Sequence, residues 1–196
     1  MKDKYGKTGK KAAVFLDRDG TINEEVGYLD SLDKLQIIPC AFEAVRLING
    51  AGLLSIVVTN QAGIARGLFD EPFVNSIHGR LTATFQTHSA RLDAFYYCPH
   101  HPTAGIGPYA MACDCRKPEP GMLLRAAEEW NIDLEHSFMI GDTAKDVEVG
   151  QRVGAKGILV ETGYGGEVDL QVVKPDYVAS NVLDAVRWIL SANREK

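Results

Sequence analysis

Five short apolar runs rich in β-favouring residues recur along the chain, at 12–16, 53–58, 94–97, 137–140 and 157–160, with helical patterns between most of them. Residues 41–49 place Ala41, Phe42, Ala44, Val45, Leu47 and Ile48 on one helical face and stop at Gly50-Ala51-Gly52. Asp70 can cap a helix that has Pro72 in its first turn and runs to about residue 89. Pro120 opens another that continues to about residue 130, and 182–190 closes the chain. Strands alternating with helices demand parallel pairing and right-handed crossovers, so the expected fold is a three-layer α/β/α sandwich with a mostly parallel central sheet. At 196 residues, with no internal repeat and no linker rich in Pro, Gly or Ser, residues 12–196 are expected to form a single domain.

Polar residues sit where such a sheet binds ligands, beyond the carboxyl ends of its strands. Asp17-Arg18-Asp19-Gly20-Thr21 follows the first run, Thr59-Asn60-Gln61 the second, and Gly141-Asp142 the fourth. Side chains one apart on an extended chain point opposite ways, so Asp17 and Asp19 share a side only if the strand ends and the chain turns, which Gly20 permits. Alone, the tetrapeptide Asp-x-Asp-Gly reads equally as a turn or a calcium loop. Asp142 and Asp146 alone read as a helix cap and a first-turn acid, and an isolated Arg-Lys pair such as Arg116-Lys117 is commonly solvated.

No apolar stretch approaches the ~18 residues of a membrane span, and the run 12–16 is too short for a signal-peptide core, so a cytoplasmic location is expected. In that reducing compartment, three cysteines crowded between Cys98 and Cys115 favour a metal site over a disulfide. Cys98-x-His100, a gap of 12 residues and Cys113-x-Cys115 supply four ligands, enough to close a tetrahedral zinc site, with His101 as the rival to His100. The alternative is three reduced thiols beside two surface histidines. Cys40 reads as a packed small hydrophobe.

The net charge of −5 is uneven: residues 1–11 carry five lysines and one aspartate, a basic flexible tail, and the remainder is acidic. An acidic body disfavours nucleic-acid binding, which needs a basic face to displace counterions.

In this order and strand context, Asp17-x-Asp19-Gly20-Thr21, Val58-Thr59-Asn60-Gln61, Arg116-Lys117-Pro118 and Gly141-Asp142-Thr143-Ala144-Lys145-Asp146 resemble the haloacid dehalogenase (HAD) superfamily of phosphohydrolases over nearly the whole chain. Within it, the segment from Thr59 to Gly67 and the pair Cys98-Pro99-His100 and Cys113-Asp114-Cys115-Arg116-Lys117-Pro118 are similar to the heptose 1,7-bisphosphate 7-phosphatases. Histidinol-phosphate phosphatases share the metal loop.

The resemblance implies a HAD-like, Rossmann-type core without a large cap domain, carrying a zinc-bound loop at about 98–115. It implies a magnesium-dependent phosphatase that removes the C7 phosphate of heptose 1,7-bisphosphate through an aspartyl phosphate, serving nucleotide-activated heptose synthesis for surface polysaccharide. Asp17 is then the nucleophile. Asp19 is the acid that protonates the leaving alcohol and later the base for water, with a pKa near working pH. Lys117 and Thr59 steady the phosphoryl oxygens. Magnesium takes Asp17, Asp142 and the backbone carbonyl of Asp19, with Asp146 behind them orienting the ligands or Lys117. Zinc takes Cys98, His100, Cys113 and Cys115, and holds Arg116 and Lys117 in place. Substrate contacts are implied at Glu25, Val26, Gly27, Tyr28, Asn60, Gln61 and Ala62, with Arg116 on the phosphate that stays on the sugar. Thr143 departs from the pattern, since many relatives have Lys there; its hydroxyl is left as the contact, with Lys145 two positions on.

The expected partner is a small phosphorylated sugar, with no nucleic acid, no membrane and a monomeric chain. The rivals are a histidinol-phosphate phosphatase, a noncatalytic zinc-stabilised binding module and a polynucleotide 3'-phosphatase. No catalytic carboxylate is missing, which counts against the second; the acidic body counts against the third. Gly163-Tyr164-Gly165-Gly166 reads as a flexible loop at the site's rim. His78, His88 and His136 show no partners in sequence, and Trp130 and Trp188 read as core or core-edge residues.

Overall fold

The computed structural model describes residues 9–192. Six parallel strands form one sheet in the order β3-β2-β1-β4-β5-β6, with β1 Ala13–Leu16, β2 Leu54–Asn60, β3 Ala94–Cys98, β4 Phe138–Gly141, β5 Lys156–Val160 and β6 Tyr177–Ala179. All four residues of β1 and of β4 are buried, as expected for parallel strands covered on both faces. The twofold period of the strand divides them. Val14 and Leu16 join one core with α1 (Cys40–Gly50), α3 (Glu71–Thr87, after the one-turn α2 at Ala62–Ala65) and α6 (Val182–Ala192). Ala13 and Phe15 join the opposite core with α4 (Gly121–Trp130) and α5 (Ala144–Arg152). The three-layer sandwich therefore follows from alternation within each apolar run.

β1 pairs with both β2 and β4, with Phe15 opposite Ile56 on one side and Met139 on the other. Chain order runs outward in opposite directions from that point, which makes the gap between β1 and β4 the topological switch where such sheets open a crevice. Only a loop with one 3-10 turn, Leu32–Lys34, separates β1 from α1, and no large cap domain covers the crevice among the described residues.

Local signals set the helix ends. Asp70 accepts a hydrogen bond from the Phe73 amide at 2.9 Å and starts α3, which ends at Thr87 because Ser89 turns left-handed (φ 56°). α4 ends at Asn131, also left-handed at φ 51°. β6 and the one-turn α2 have no expectation in the sequence, and α5 is signalled only by Asp142 as a cap and Asp146 as a first-turn acid, where the cap is Thr143 instead. β6 is three residues long, and α5 offers few apolar residues beyond Val147 and Val149.

The basic tail falls at residues 1–8 outside the described chain. Lys11 is held by backbone bonds, donating to Asn131 O (3.0 Å) and accepting from the Asp133 amide (2.8 Å). No helix of the described residues is long and apolar enough to cross a membrane. Trp188 stacks on Tyr177, whereas Trp130 departs from a core reading at 38% exposure. The histidines all have neighbours: His78 is buried against Phe95, His88 stacks on Phe42, and His136 pairs with Asp133.

Candidate active site

β1, β2 and β4 end at the switch point and bring their polar residues to one cleft of about 180 Å³. Asp17 caps β1, its amide bonded to Ile140 O across the sheet at 2.8 Å. Lys117 reaches it from the far side of the chain. Its Nζ lies 2.7 Å from Asp17 Oδ1 and 2.6 Å from Asp146 Oδ1, and donates to Val58 O at 2.8 Å. Only 3% of its side chain is exposed, yet its pKa is raised, because the two carboxylates outweigh the cost of burial.

The ligand atoms of Asp17, Asp142 and Asp146 lie within 4.8 Å of one another. Burial pushes the Asp17 carboxyl well above the ordinary range, with Lys117 opposing and the two neighbouring aspartates reinforcing the rise. Burial pushes Asp142 up to about 7, against the hydrogen bond from the Tyr164 amide (2.9 Å). Three buried carboxylates sharing one lysine leave an excess of negative charge, the donor set that suits a hard divalent cation. Gly20 and Gly163 explain their residue type here. Both have positive φ, and a Cβ on either would run into the Asp142 carboxylate.

Asp19 departs from the expected pKa near working pH. Burial raises it, but the Arg18 charge and hydrogen bonds from Asn23, Arg18 and Gln61 outweigh burial and hold it below the ordinary value. Gln61 Nε2 bridges Asp19 Oδ2 (3.0 Å) and Thr59 Oγ1 (2.8 Å), behind the wall of the cleft. Asn60 lines the cleft, but its amide is spent on the backbone of Lys117: Nδ2 donates to Lys117 O (3.1 Å), and Oδ1 accepts from Lys117 N (3.0 Å). Of the implied substrate segment, Glu25 and Gly27 face the cleft; Val26 and Tyr28 stand exposed beside it, and Ala62 lies off its wall. Arg116 lines the cleft while its Nη1 donates to His100 O at 3.1 Å.

Thr143 also lines the cleft, yet its hydroxyl lies 2.5 Å from Asp146 Oδ2, which also accepts from the Thr143 amide (3.0 Å) in the capping box that starts α5. Lys145, in the first turn of α5, faces the same cleft and makes no ion pair among the described residues. Lys145 and Tyr164 line the cleft, the first inside the Gly141–Asp146 motif and the second in the rim loop, without a role assigned by either. Their one signal was position: a lysine in a helix's first turn opposes the helix dipole, and Tyr164 sits in the glycine-rich rim loop.

The second cluster forms where β3 ends. Cys98, His100, Cys113 and Cys115 place their ligand atoms within 4.8 Å of one another. Cys113 Sγ is 3.5 Å from Cys98 Sγ and 3.3 Å from Cys115 Sγ, and His100 Nδ1 is 3.5 Å from Cys115 Sγ. Bonds of about 2.3 Å to a tetrahedral zinc imply sulfur separations of about 3.8 Å, close to this spacing. His101 turns away, its Nδ1 facing the amides of Thr103 and Ala104.

A family model described as HAD-hyrolase-like matches residues 114–185. The D-glycero-D-manno-heptose-1,7-bisphosphate 7-phosphatase of Thermosynechococcus vestitus is 41% identical over 187 residues, 91% of this chain and 95% of that protein. The D-glycero-beta-D-manno-heptose-1,7-bisphosphate 7-phosphatase of Pasteurella multocida is 46% identical over 154 residues, 78% and 83% of the two chains. Among solved structures, the D,D-heptose 1.7-bisphosphate phosphatase from B. bronchiseptica, complexed with magnesium and phosphate, superposes with a TM-score of 0.83 at 30% identity, covering 92% of this chain and 99% of the other.

Proposed function

We propose, from the premise that this chain belongs to the heptose-1,7-bisphosphate 7-phosphatase family of HAD-like phosphoric monoester hydrolases, that it removes the C7 phosphate of D-glycero-D-manno-heptose 1,7-bisphosphate to leave the 1-phosphate. The observation that carries this reading is the pairing of Asp17 with Lys117 at the sheet's switch point, with Asp19 on the same cleft.

Asp17 attacks phosphorus in line, and the bond to the sugar oxygen breaks as the aspartyl phosphate forms. Lys117, fixed by Val58 O, Asp146 and Asp17, sets a buried positive charge against the phosphoryl oxygens. Thr59 contributes a hydroxyl oriented by Gln61. Asp19, held ionised in the free enzyme by its donors, gains a proton as the negative phosphate enters beside it, gives that proton to the departing alkoxide, then takes one from the water that cleaves the aspartyl phosphate and regenerates Asp17. Magnesium held by Asp17, Asp142 and the Asp19 carbonyl would neutralise phosphoryl charge when bound, with Asp146 behind orienting Lys117. Arg116 receives the phosphate that remains on the sugar, and Glu25, Gly27 and Asn60 bound the sugar's path, with Val26, Tyr28, Gln61 and Ala62 around it. With its hydroxyl engaged by Asp146, Thr143 contributes position more than a direct phosphate contact. The enzyme works as a cytoplasmic monomer, one domain over residues 12–196 behind its basic tail, and its product feeds nucleotide-activated heptose synthesis.

The test is phosphate release with magnesium from both anomers of the heptose bisphosphate and from histidinol phosphate. The expected result is a kcat/KM preference of roughly a hundredfold for a heptose anomer, about 2.7 kcal/mol of transition-state discrimination. A preference for histidinol phosphate overturns the substrate and leaves the chemistry.

Zinc in the Cys98, His100, Cys113 and Cys115 cluster ties the loop that carries Arg116 and Lys117. Elemental analysis of protein purified without added metal is expected to give about one zinc per chain, and removing it should lower activity by loosening Lys117. Folded, active protein without zinc would remove this account.

A further inference from the structure

Arg18 heads the large side chains that are fully buried, at 1% exposure, although it occupies the unspecified position between the two motif aspartates. Burying a guanidinium is costly unless it is paired, and an apolar side chain would fill the space without that cost. Its only acidic partner among the described residues is Asp19. Nε and Nη2 lie 3.1 and 2.9 Å from Oδ1, and Nη2 lies 2.7 Å from Oδ2. Asn23 Nδ2 adds a bond to Oδ1 at 2.9 Å, and Gln61 Nε2 adds one to Oδ2 at 3.0 Å. His78, buried on α3 with its Nε2 unpartnered, is held neutral, its pKa lowered to about 3 by burial and then by the Arg18 charge. Glu25 feels the Arg18 charge from a distance, but among the described residues only Asp19 lies within ion-pair reach of the guanidinium.

Five donor contacts from three residues converge on one carboxyl group whose side chain keeps 21% exposure toward the cleft. We infer that Arg18 is a positioning residue for proton transfer, which with Asn23 and Gln61 locks the plane of the Asp19 carboxyl so that one oxygen faces the leaving group. Oδ1 accepts three of the contacts and Oδ2 the other two, so the carboxyl plane is held through both of its oxygens. In the first half-reaction, the bond from phosphorus to the sugar oxygen breaks, its electron pair goes to that oxygen, and the Asp19 proton follows. Asp19 is then a carboxylate facing a permanent cation. In the second, water attacks phosphorus, its proton goes to the Asp19 carboxylate, and the bond to Asp17 breaks to release phosphate. Arg18 supplies geometry and charge to both steps without touching the substrate. This inference rests on the reading of Asp19 as the acid and base.

A leaving group that departs readily as an anion needs no proton, so the dependence on leaving group separates positioning from packing. kcat/KM reports steps through departure of the alcohol, which keeps hydrolysis of the aspartyl phosphate out of the comparison. The experiment measures kcat/KM of Arg18→Met, Arg18→Lys, Asp19→Asn and Arg18→Met/Asp19→Asn, each checked for folding by circular dichroism, on the heptose bisphosphate and on 4-nitrophenyl phosphate. Arg18→Met is expected to lose about a hundredfold on the sugar ester and at least tenfold less on the nitrophenyl ester. Arg18→Lys is expected to show the same asymmetry in smaller measure, and it carries the test if the methionine variant does not fold. In the Asp19→Asn background, Arg18→Met should cost little more on the sugar ester. Equal losses on both esters, no loss, or full additivity in the double variant overturn the inference. If Asp19→Asn itself loses equally on both esters, the reading of Asp19 fails instead, and the two failures are told apart.

Discussion

Replacing Asp17 by Asn is expected to lower kcat by at least about 10⁴-fold on any phosphate ester, the order of loss that follows removal of a covalent nucleophile. The change nearly conserves volume in a site where Asp17 is packed under the end of β1, and the backbone bond from its amide to Ile140 O is untouched. Stability should move the other way from activity. In the metal-free protein, burial, offset by Lys117 but reinforced by Asp146 and Asp142, raises the carboxyl's pKa above its unfolded value. A raised carboxyl pKa means that the ionised group favours the unfolded state at neutral pH, so removing its charge removes no stabilisation of that kind. Lys117 keeps Asp146 as its partner. A melting temperature at or above that of the unaltered protein, with activity gone, is therefore the expected pair of readings. Substantial turnover by the folded variant would displace Asp17 as nucleophile.

Lys117→Met should damage both properties. The lysine is the one cation within ion-pair distance of Asp17 and Asp146 among the described residues, and its removal leaves these buried carboxylates facing each other and Asp142. Breaking a buried pair from one side costs about 3–5 kcal/mol. For a domain near this size, each kcal/mol corresponds to roughly 2–4 °C, so a fall in melting temperature of about 10 °C is expected in chelator. Activity should fall by about 10²–10³-fold, the order for losing a preorganised charge against a developing anion. Magnesium should recover more melting temperature in the variant than in the unaltered protein, because the ion becomes the only counter-charge. An unchanged melting curve in chelator would mean that the three carboxylates do not depend on Lys117.

Most of the fold was legible because its determinants are local. Five of six strands announced themselves as apolar runs, and a capping aspartate and two left-handed residues bound α3 and α4. β6 was not legible: three residues carry too little pattern, and the strand exists because β5 offers an edge. α5 was legible only at its start, through the first-turn Asp146, because its buried face rests on two valines and its cap is Thr143, in a capping box with Asp146. That box also decides what the Thr143 hydroxyl can do.

Local pattern along the chain dictates the alternation of strand and helix, hence the parallel sheet, and the placing of Asp17, Asp19, Thr59 and Asp142 at strand ends. Period and turn chemistry act over a few residues and need no partner to be read. The tertiary structure alone decided what those residues touch. Lys117 meets Asp17 across 100 positions of chain, Asn60 spends its amide on the Lys117 backbone 57 positions away, and Gln61 links Asp19 to Thr59. It also turned Arg18 inward onto Asp19, a position whose side chain the motif leaves open. Such contacts depend on strand order and register, which bring distant segments within hydrogen-bond reach only after the sheet has closed.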